Sequence, residues 1–231
     1  MHTSRALPRL LGPAVAVLLL LPGAAHAAAL TPLKPCYVTS TDAVSGEIRR
    51  EPISFGATGF TPHGLVDISL DGALQRTVQA DPAGTIPDQR LDAPYRRRGQ
   101  APFRLTATDR ANPANTVEAL SNVTAFDVSI RPSTAAPSSR VRFRGRGFTQ
   151  PGRVYGHYLF HGKVRKTVTM QRKPGGPCGT FSVKRRQIPV RNPRLGQWLL
   201  QIDQERRYRR APERGALRVI IRVQRVFRRP R

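Results

Sequence analysis

Four arginines alternate with smaller or apolar residues in Arg140-Val141-Arg142-Phe143-Arg144-Gly145-Arg146. Side chains of a strand alternate between faces, so this spacing predicts four guanidiniums on one side and Val141 and Phe143 turned to a core. Like charges so placed repel one another at some cost to the fold. A solvated face usually mixes signs; a stripe of one sign concentrates positive potential and suits a polyanion. A second group, Arg206-Arg207-Tyr208-Arg209-Arg210, sets an aromatic ring among four guanidiniums. Such a ring can stack on a ligand ring or shield an anion contact.

Other chemistry finds little support. Gly145-x-Gly147 followed by Gly152 lacks phosphate-loop spacing, and no helical segment follows to offer its N-terminus. There is no Gly-x-Ser-x-Gly elbow. His157 and His161 lie four apart in an aromatic stretch that reads as strand, about 13 Å of chain, too far for one ion to bind both. His63 stands alone. Carboxylates after residue 124 are only Asp127, Asp203, Glu205 and Glu213, a poor set for paired acid–base work. Asp67, Asp71, Asp88 and Asp92 read mainly as hairpin and turn residues. No catalytic residue, cofactor or metal ligand is assigned.

The formal charge is +25, and its placement matters more than its size. Residues 28–124 carry ten Lys+Arg against ten Asp+Glu; residues 125–231 carry 27 against four. Many arginines can reflect a GC-rich genome, but the same genome encodes the neutral part, which acts as an internal control.

The first 27 residues read as a secretion leader to be cleaved after Ala27. Arg5 and Arg9 precede the apolar run Leu10–Leu21, and Ala25-His26-Ala27 is a small-x-small cleavage site. No later stretch is apolar enough to cross a membrane, so the mature chain is expected to be exported and free of transmembrane spans. An oxidising compartment permits disulfides. Cys36 and Cys178 could bridge, closing a long loop worth up to about 4–5 kcal/mol, or remain two separately buried thiols.

The elements that must hold the arginines come from a repeat. Residues 53–66 and 141–154 share Phe, Gly, Phe, Thr, Gly and Val at 55/143, 59/147, 60/148, 61/149, 64/152 and 66/154. A repeat of this kind signals two copies of one small unit. Helical periodicity is scarce and Pro and Gly recur at short intervals, the pattern of a sandwich. Strands are predicted near 36–39, 51–58, 65–70, 74–80, 102–108 and 116–123, then 126–130, 140–147, 153–160, 163–170, 180–184, 197–203 and 216–224. Pro82-Ala83-Gly84-Thr85 matches Pro177-Cys178-Gly179-Thr180, and Gly99-Gln100 is similar to Gly196-Gln197. Gly59 and Gly147 suit positive φ at a strand end. Phe60, Phe148 and Trp198 are core candidates.

Gly59-Phe60-Thr61-Pro62-x-Gly64, Val66-x-Ile68-x-Leu70-Asp71-Gly72 and Phe103-x-Leu105-Thr106-Ala107-Thr108-Asp109 resemble exported bacterial immunoglobulin-like repeats. The second copy departs from that pattern, with Gln150 for the motif proline and His161-Gly162 for Asp-Gly. The resemblance implies an all-β fold of two tandem immunoglobulin-like β-sandwich domains, 28–124 (neutral) and 125–231 (basic). It carries no functional residue across, because the shared positions are turn and core. In such a sandwich the Arg206–Arg210 loop shares an end with Arg153, and Lys184-Arg185-Arg186, Arg191 and Arg194 lie toward the other end.

The expectation is a non-catalytic, secreted or envelope-associated protein whose basic domain binds a polyanion: wall polymer, acidic glycan or anionic lipid. Its candidate contacts are Arg140, Arg142, Arg144, Arg146, Arg153, Arg206, Arg207, Tyr208, Arg209 and Arg210. Nucleic acid outside the cell stays open as a partner. The alternative is an accessory subunit of an envelope complex that meets a protein partner.

Overall fold

The structure, a computed structural model, describes residues 27–41, 45–212 and 215–224. All but the last residue of the expected leader lies outside the described residues. Every described element is a strand. The N-terminal half holds β1 (Ala29–Leu30), β2 (Tyr37–Thr41), β3 (Ile48–Arg50), β4 (Pro52–Thr58), β5 (Leu65–Leu70), β6 (Ala73–Gln79), β7 (Ile86–Asp92), β8 (Gln100–Asp109) and β9 (Thr116–Ala125). The C-terminal half holds β10 (Asp127–Arg131), β11 (Arg140–Arg146), β12 (Val154–Phe160), β13 (Lys163–Gln171), β14 (Phe181–Arg186), β15 (Gly196–Asp203) and β16 (Leu217–Val223).

Each half is two sheets. The first pairs β1-β4-β7 with β3-β2-β9-β8-β5-β6; the second pairs β10-β11-β14 with β13-β12-β15-β16. Without β2 and β3 the two orders coincide, and they follow the crossed connections of an immunoglobulin-type sandwich. The added strands arise because the chain leaves β1 and crosses to run parallel beside β9, with Tyr37 opposite Val123.

Local sequence explains the equivalence. The β5–β6 hairpin turns on Asp71 and Gly72 (φ 49° and 82°), and the β12–β13 hairpin on His161 and Gly162 (49° and 73°). Histidine thus accepts the left-handed conformation that Asp-Gly usually supplies in such turns. Gly59 and Gly147 have φ of 85° and 86°. The match of Gly84 with Gly179 is also structural. Each carbonyl accepts the N–H of the motif phenylalanine, Phe60 at 3.0 Å and Phe148 at 3.1 Å. A Cβ on either glycine would come within 2.1 Å of that phenylalanine's carbonyl oxygen. Gly99 and Gly196 lead into the equivalent strands β8 and β15 but at different register: Leu70 stands opposite Leu105, six residues after Gly99, whereas Phe160 stands opposite Trp198, two after Gly196.

Alternation fills two cores. Ile53, Phe55, Val66, Ile68, Phe103 and Leu105 line the first; Val141, Phe143, Tyr158, Trp198, Leu200 and Ile202 line the second. Full burial of side chains this large stabilises the fold by roughly 1.5–3 kcal/mol each. Gly145 leaves the room that the Phe181 ring occupies, since a Cβ there would lie 2.3 Å from it. Trp198 packs on Phe160 at 5.0 Å and donates from Nε1 to the Arg194 carbonyl at 3.0 Å, as a core anchor would.

Only Phe126 separates β9 from β10. Its N–H donates to Thr39 O at 2.7 Å, and its ring lies 5.2 Å from Phe148. Of the two fates left open for the cysteines, the bridge is realised. Cys36 and Cys178 form a disulfide with Cα atoms 5.2 Å apart, across a sequence separation of 142 residues. Both are buried, and the Cys178 carbonyl accepts Gly147 N–H at 2.9 Å. The halves are thus fastened at the end of the second half that carries Gly147 and the following loop.

Candidate polyanion-binding surface

β11 is the middle strand of its sheet and follows the expected alternation. Val141, Phe143 and Gly145 are buried, while Arg140 and Arg144 are exposed and Arg142 and Arg146 half-buried. Register then adds cations that spacing along one strand could not reveal. Arg142 stands opposite Arg131 on β10 and Lys184 on β14, and Arg140 stands opposite Arg186. Arg131, Pro132, Arg140, Arg142, Arg144 and Lys184 line a shallow concavity of about 610 Å³. None of these five cations has an ion pair among the described residues. Arg146 differs: its Nε lies 3.3 Å from Asp127 Oδ1. No carboxylate of the N-terminal half pairs with a guanidinium of the C-terminal half among the described residues.

The group at 184–186 divides. Lys184 and Arg186 are exposed and join the β11 face at its far end. Arg185 turns the other way, and its Nε is buried without a hydrogen-bond partner among the described residues. Near it the Tyr158 hydroxyl is likewise buried with no partner among the described residues, and burial pushes its phenol well above the usual range, with the Arg185 charge opposing.

The loop after β15 lies beside the loop after β11, as expected: Gln204 Nε2 donates to Gln150 O at 2.7 Å. Arg153, Arg206, Arg207 and Arg210 are exposed there. Arg209 pairs with Glu205 at 3.3 Å. Tyr208 is half-buried, its ring edge-on to His157 at 5.8 Å. It supports the loop rather than standing free among the arginines.

What holds this loop is a buried polar chain that sequence reading missed. His157 is fully buried on β12. Thr167 Oγ1 lies 3.0 Å from its Nδ1, and Nε2 faces Asp203 Oδ1 at 3.3 Å and Glu205 O at 3.0 Å. A ring protonated on Nε2 satisfies all three, donating from Nε2 and accepting from the threonine hydroxyl. Asp203 also accepts from Glu205 N–H at 2.9 Å and from Gln201 Nε2 at 2.8 Å. Gln201 Nε2 donates to Arg209 O as well, and Arg218 reaches Gln201 Oε1 and Arg210 O. The loop backbone is clamped from beneath while its guanidiniums point away. Threonine, histidine and aspartate here resemble a proton relay in outline. Both ring nitrogens are engaged and the ring has no exposed surface, so the arrangement positions the loop. No sequence signal marks it, because its members meet only across strands, where His157 faces Thr167 and Gln201 in register.

His161 sits at the exposed β12–β13 turn, away from this chain. No cluster of three or more His, Cys, Asp or Glu suited to a metal occurs among the described residues. No helix long and apolar enough to cross a membrane occurs among the described residues.

No protein-family model and no curated protein matches the chain. Among solved structures it is similar to a β-glucuronidase from Parabacteroides merdae, at 11% identity and a TM-score of 0.29 over 85% of this chain and 25% of that one. It is also similar to the FN1–FN3 domains of chicken CNTN1, at 8% identity and a TM-score of 0.26 over 84% of this chain and 67% of that one. The chain spans about a quarter of the glucuronidase's length. Likenesses this weak say nothing of activity, and the all-β sandwich assignment rests on the strand order itself.

Proposed function

We propose that this is a non-catalytic, exported protein of the bacterial envelope or surface that binds a polyanion through its C-terminal unit. The units are 28–124 and 125–231, following a cleaved leader. The ligand class is a wall polymer, acidic glycan or anionic lipid surface. One observation carries the reading: Arg131, Arg140, Arg142, Arg144 and Lys184 share one face on a rigid sheet with no carboxylate paired to them among the described residues. Such a face attracts extended anions and costs the fold repulsion that binding relieves. A buried disulfide fits an oxidising compartment. The test is retention of the mature chain on an anionic resin: strong at low salt, steeply lost as salt rises. Absence of retention at low salt overturns the proposal.

A protein partner is the second reading, favoured by the opposite sheet. Val164 and Ile220 are 40% and 61% exposed on its outer face, with half-buried Leu199 opposite Ile220 and buried Leu159 between Val164 and Leu199 in register. Capture of a partner from envelope extract that survives high salt would favour it.

A further inference from the structure

The neutral count of the N-terminal half conceals a segregation of charge. Arg96, Arg97 and Arg98 follow one another in the connection from β7 to β8, and all are exposed. Their backbone is fixed at both ends. Buried Thr39 accepts Arg96 N–H on its Oγ1 at 3.1 Å and donates from the same oxygen to Arg96 O at 3.1 Å. Gly99 O accepts Ala125 N–H at 2.9 Å. These arginines and Tyr95 border a concavity of about 520 Å³ whose floor includes Thr39, Ala125 and Phe126. None of the three has an ion pair among the described residues.

This end of the N-terminal half meets the end of the arginine stripe. Arg146, the last residue of that stripe, places its guanidinium against Gly99, with Nη1 3.8 Å from where a Cβ would stand. Asp127, which pairs with Arg146, is the residue next in the chain to Phe126, and Phe126 lines that concavity. We infer that the basic surface is one track: the stripe from Arg140 to Arg146 continues across the junction onto Arg98, Arg97 and Arg96, and a single extended polyanion lies along both halves. The inference rests on the polyanion reading and deepens it. The stripe spans about 20 Å, and the three loop residues add up to about 10 Å. The disulfide fixes the relative position of the two segments, so the second segment binds as a tethered site at high effective concentration. The ligand is therefore a linear polymer of phosphate or similar oxyanions that exceeds about 30 Å. A small anion fills only one segment.

Linear polyphosphates of two defined lengths test this on the full mature chain, one shorter than the stripe and one longer than the track. The R96Q/R97Q/R98Q variant changes only exposed side chains. It should lose about tenfold in affinity for the long chain, lower the salt slope by about 2, and change short-chain binding less than about twofold. Asp127→Asn should tighten long-chain binding severalfold by freeing Arg146. Long-chain binding that ignores both changes overturns the track and leaves the C-terminal site standing. Failure of both polymers to bind the unaltered protein overturns the polyanion reading itself.

Discussion

Arg142 is where stability and binding should oppose each other most clearly. It lies in the middle of a three-stranded sheet, flanked in register by Arg131 and Lys184. Cross-strand like-charge pairs of this kind cost roughly 0.2–1 kcal/mol each. Replacing Arg142 with threonine removes both and introduces a good strand former. The two pairs together give a gain near 1 kcal/mol, raising the melting temperature by about 2–4 °C for a chain of this size. Thermal unfolding followed by circular dichroism measures it. At 1 M salt the screening length falls to about 3 Å, shorter than the roughly 4.8 Å between strands, so the gain should nearly vanish there. The same substitution should weaken polyanion binding and lower the salt slope by about 0.7–0.9. A variant that is less stable at low salt, or equally stabilised at both salts, would refute the reasoning. Arg142 would then contribute packing rather than repulsion.

Tyr158→Phe deletes a buried hydroxyl that has no partner among the described residues, so urea denaturation should show it neutral or up to about 1 kcal/mol more stable. A clear loss of stability would mean that the hydroxyl is bonded. Gly179→Ala should cost several kcal/mol, since its φ is 57° and its Cβ would meet Phe148 O at 2.1 Å; Gly72→Ala, with positive φ but open space, should cost clearly less. Asp109 gives a pH dependence. Burial works to raise its carboxyl, yet hydrogen bonds from the Thr61 hydroxyl and N–H and from Ala111 N–H outweigh it and hold the group below the usual range. A depressed carboxyl contributes stability that is complete above about pH 4–5 and lost as pH falls through the folded value. Asp109→Asn should therefore flatten the acid limb of the stability profile between about pH 5 and 2; an unchanged limb would contradict this.

The strands most legible in the sequence are those with one buried face and a clear turn. β5 is followed by Asp71-Gly72, and β11 alternates without interruption. β7 escaped because Pro87, Asp88 and Asp92 break its pattern; it survives as the edge of its sheet, where a proline costs no ladder bond. The repeat could have located it, since Gly84-Thr85 precedes β7 as Gly179-Thr180 precedes β14. β3 is three exposed residues, and β1 is only two residues long, Ala29 exposed and Leu30 half-buried. Neither has a periodicity to read.

The candidate surface was half legible. Alternation along β11 shows in the sequence, because strand period and residue spacing are the same thing. The company of Arg131 and Lys184 depends on register, which a chain read in one dimension does not display. The same limit hid the buried chain from Thr167 to Asp203. Counting charge by segment marked the C-terminal half correctly as basic. It also hid the arginines at the junction, because a sum of zero says nothing about where opposite charges sit.

The most direct test is a titration of the mature protein with long polyphosphate across a series of salt concentrations, beside an R140Q/R142Q/R144Q variant. A steep negative slope of log affinity against log salt is predicted, lowered by about 2–3 in the variant. A slope near zero, or one that the three substitutions leave unchanged, would contradict the assignment of this face.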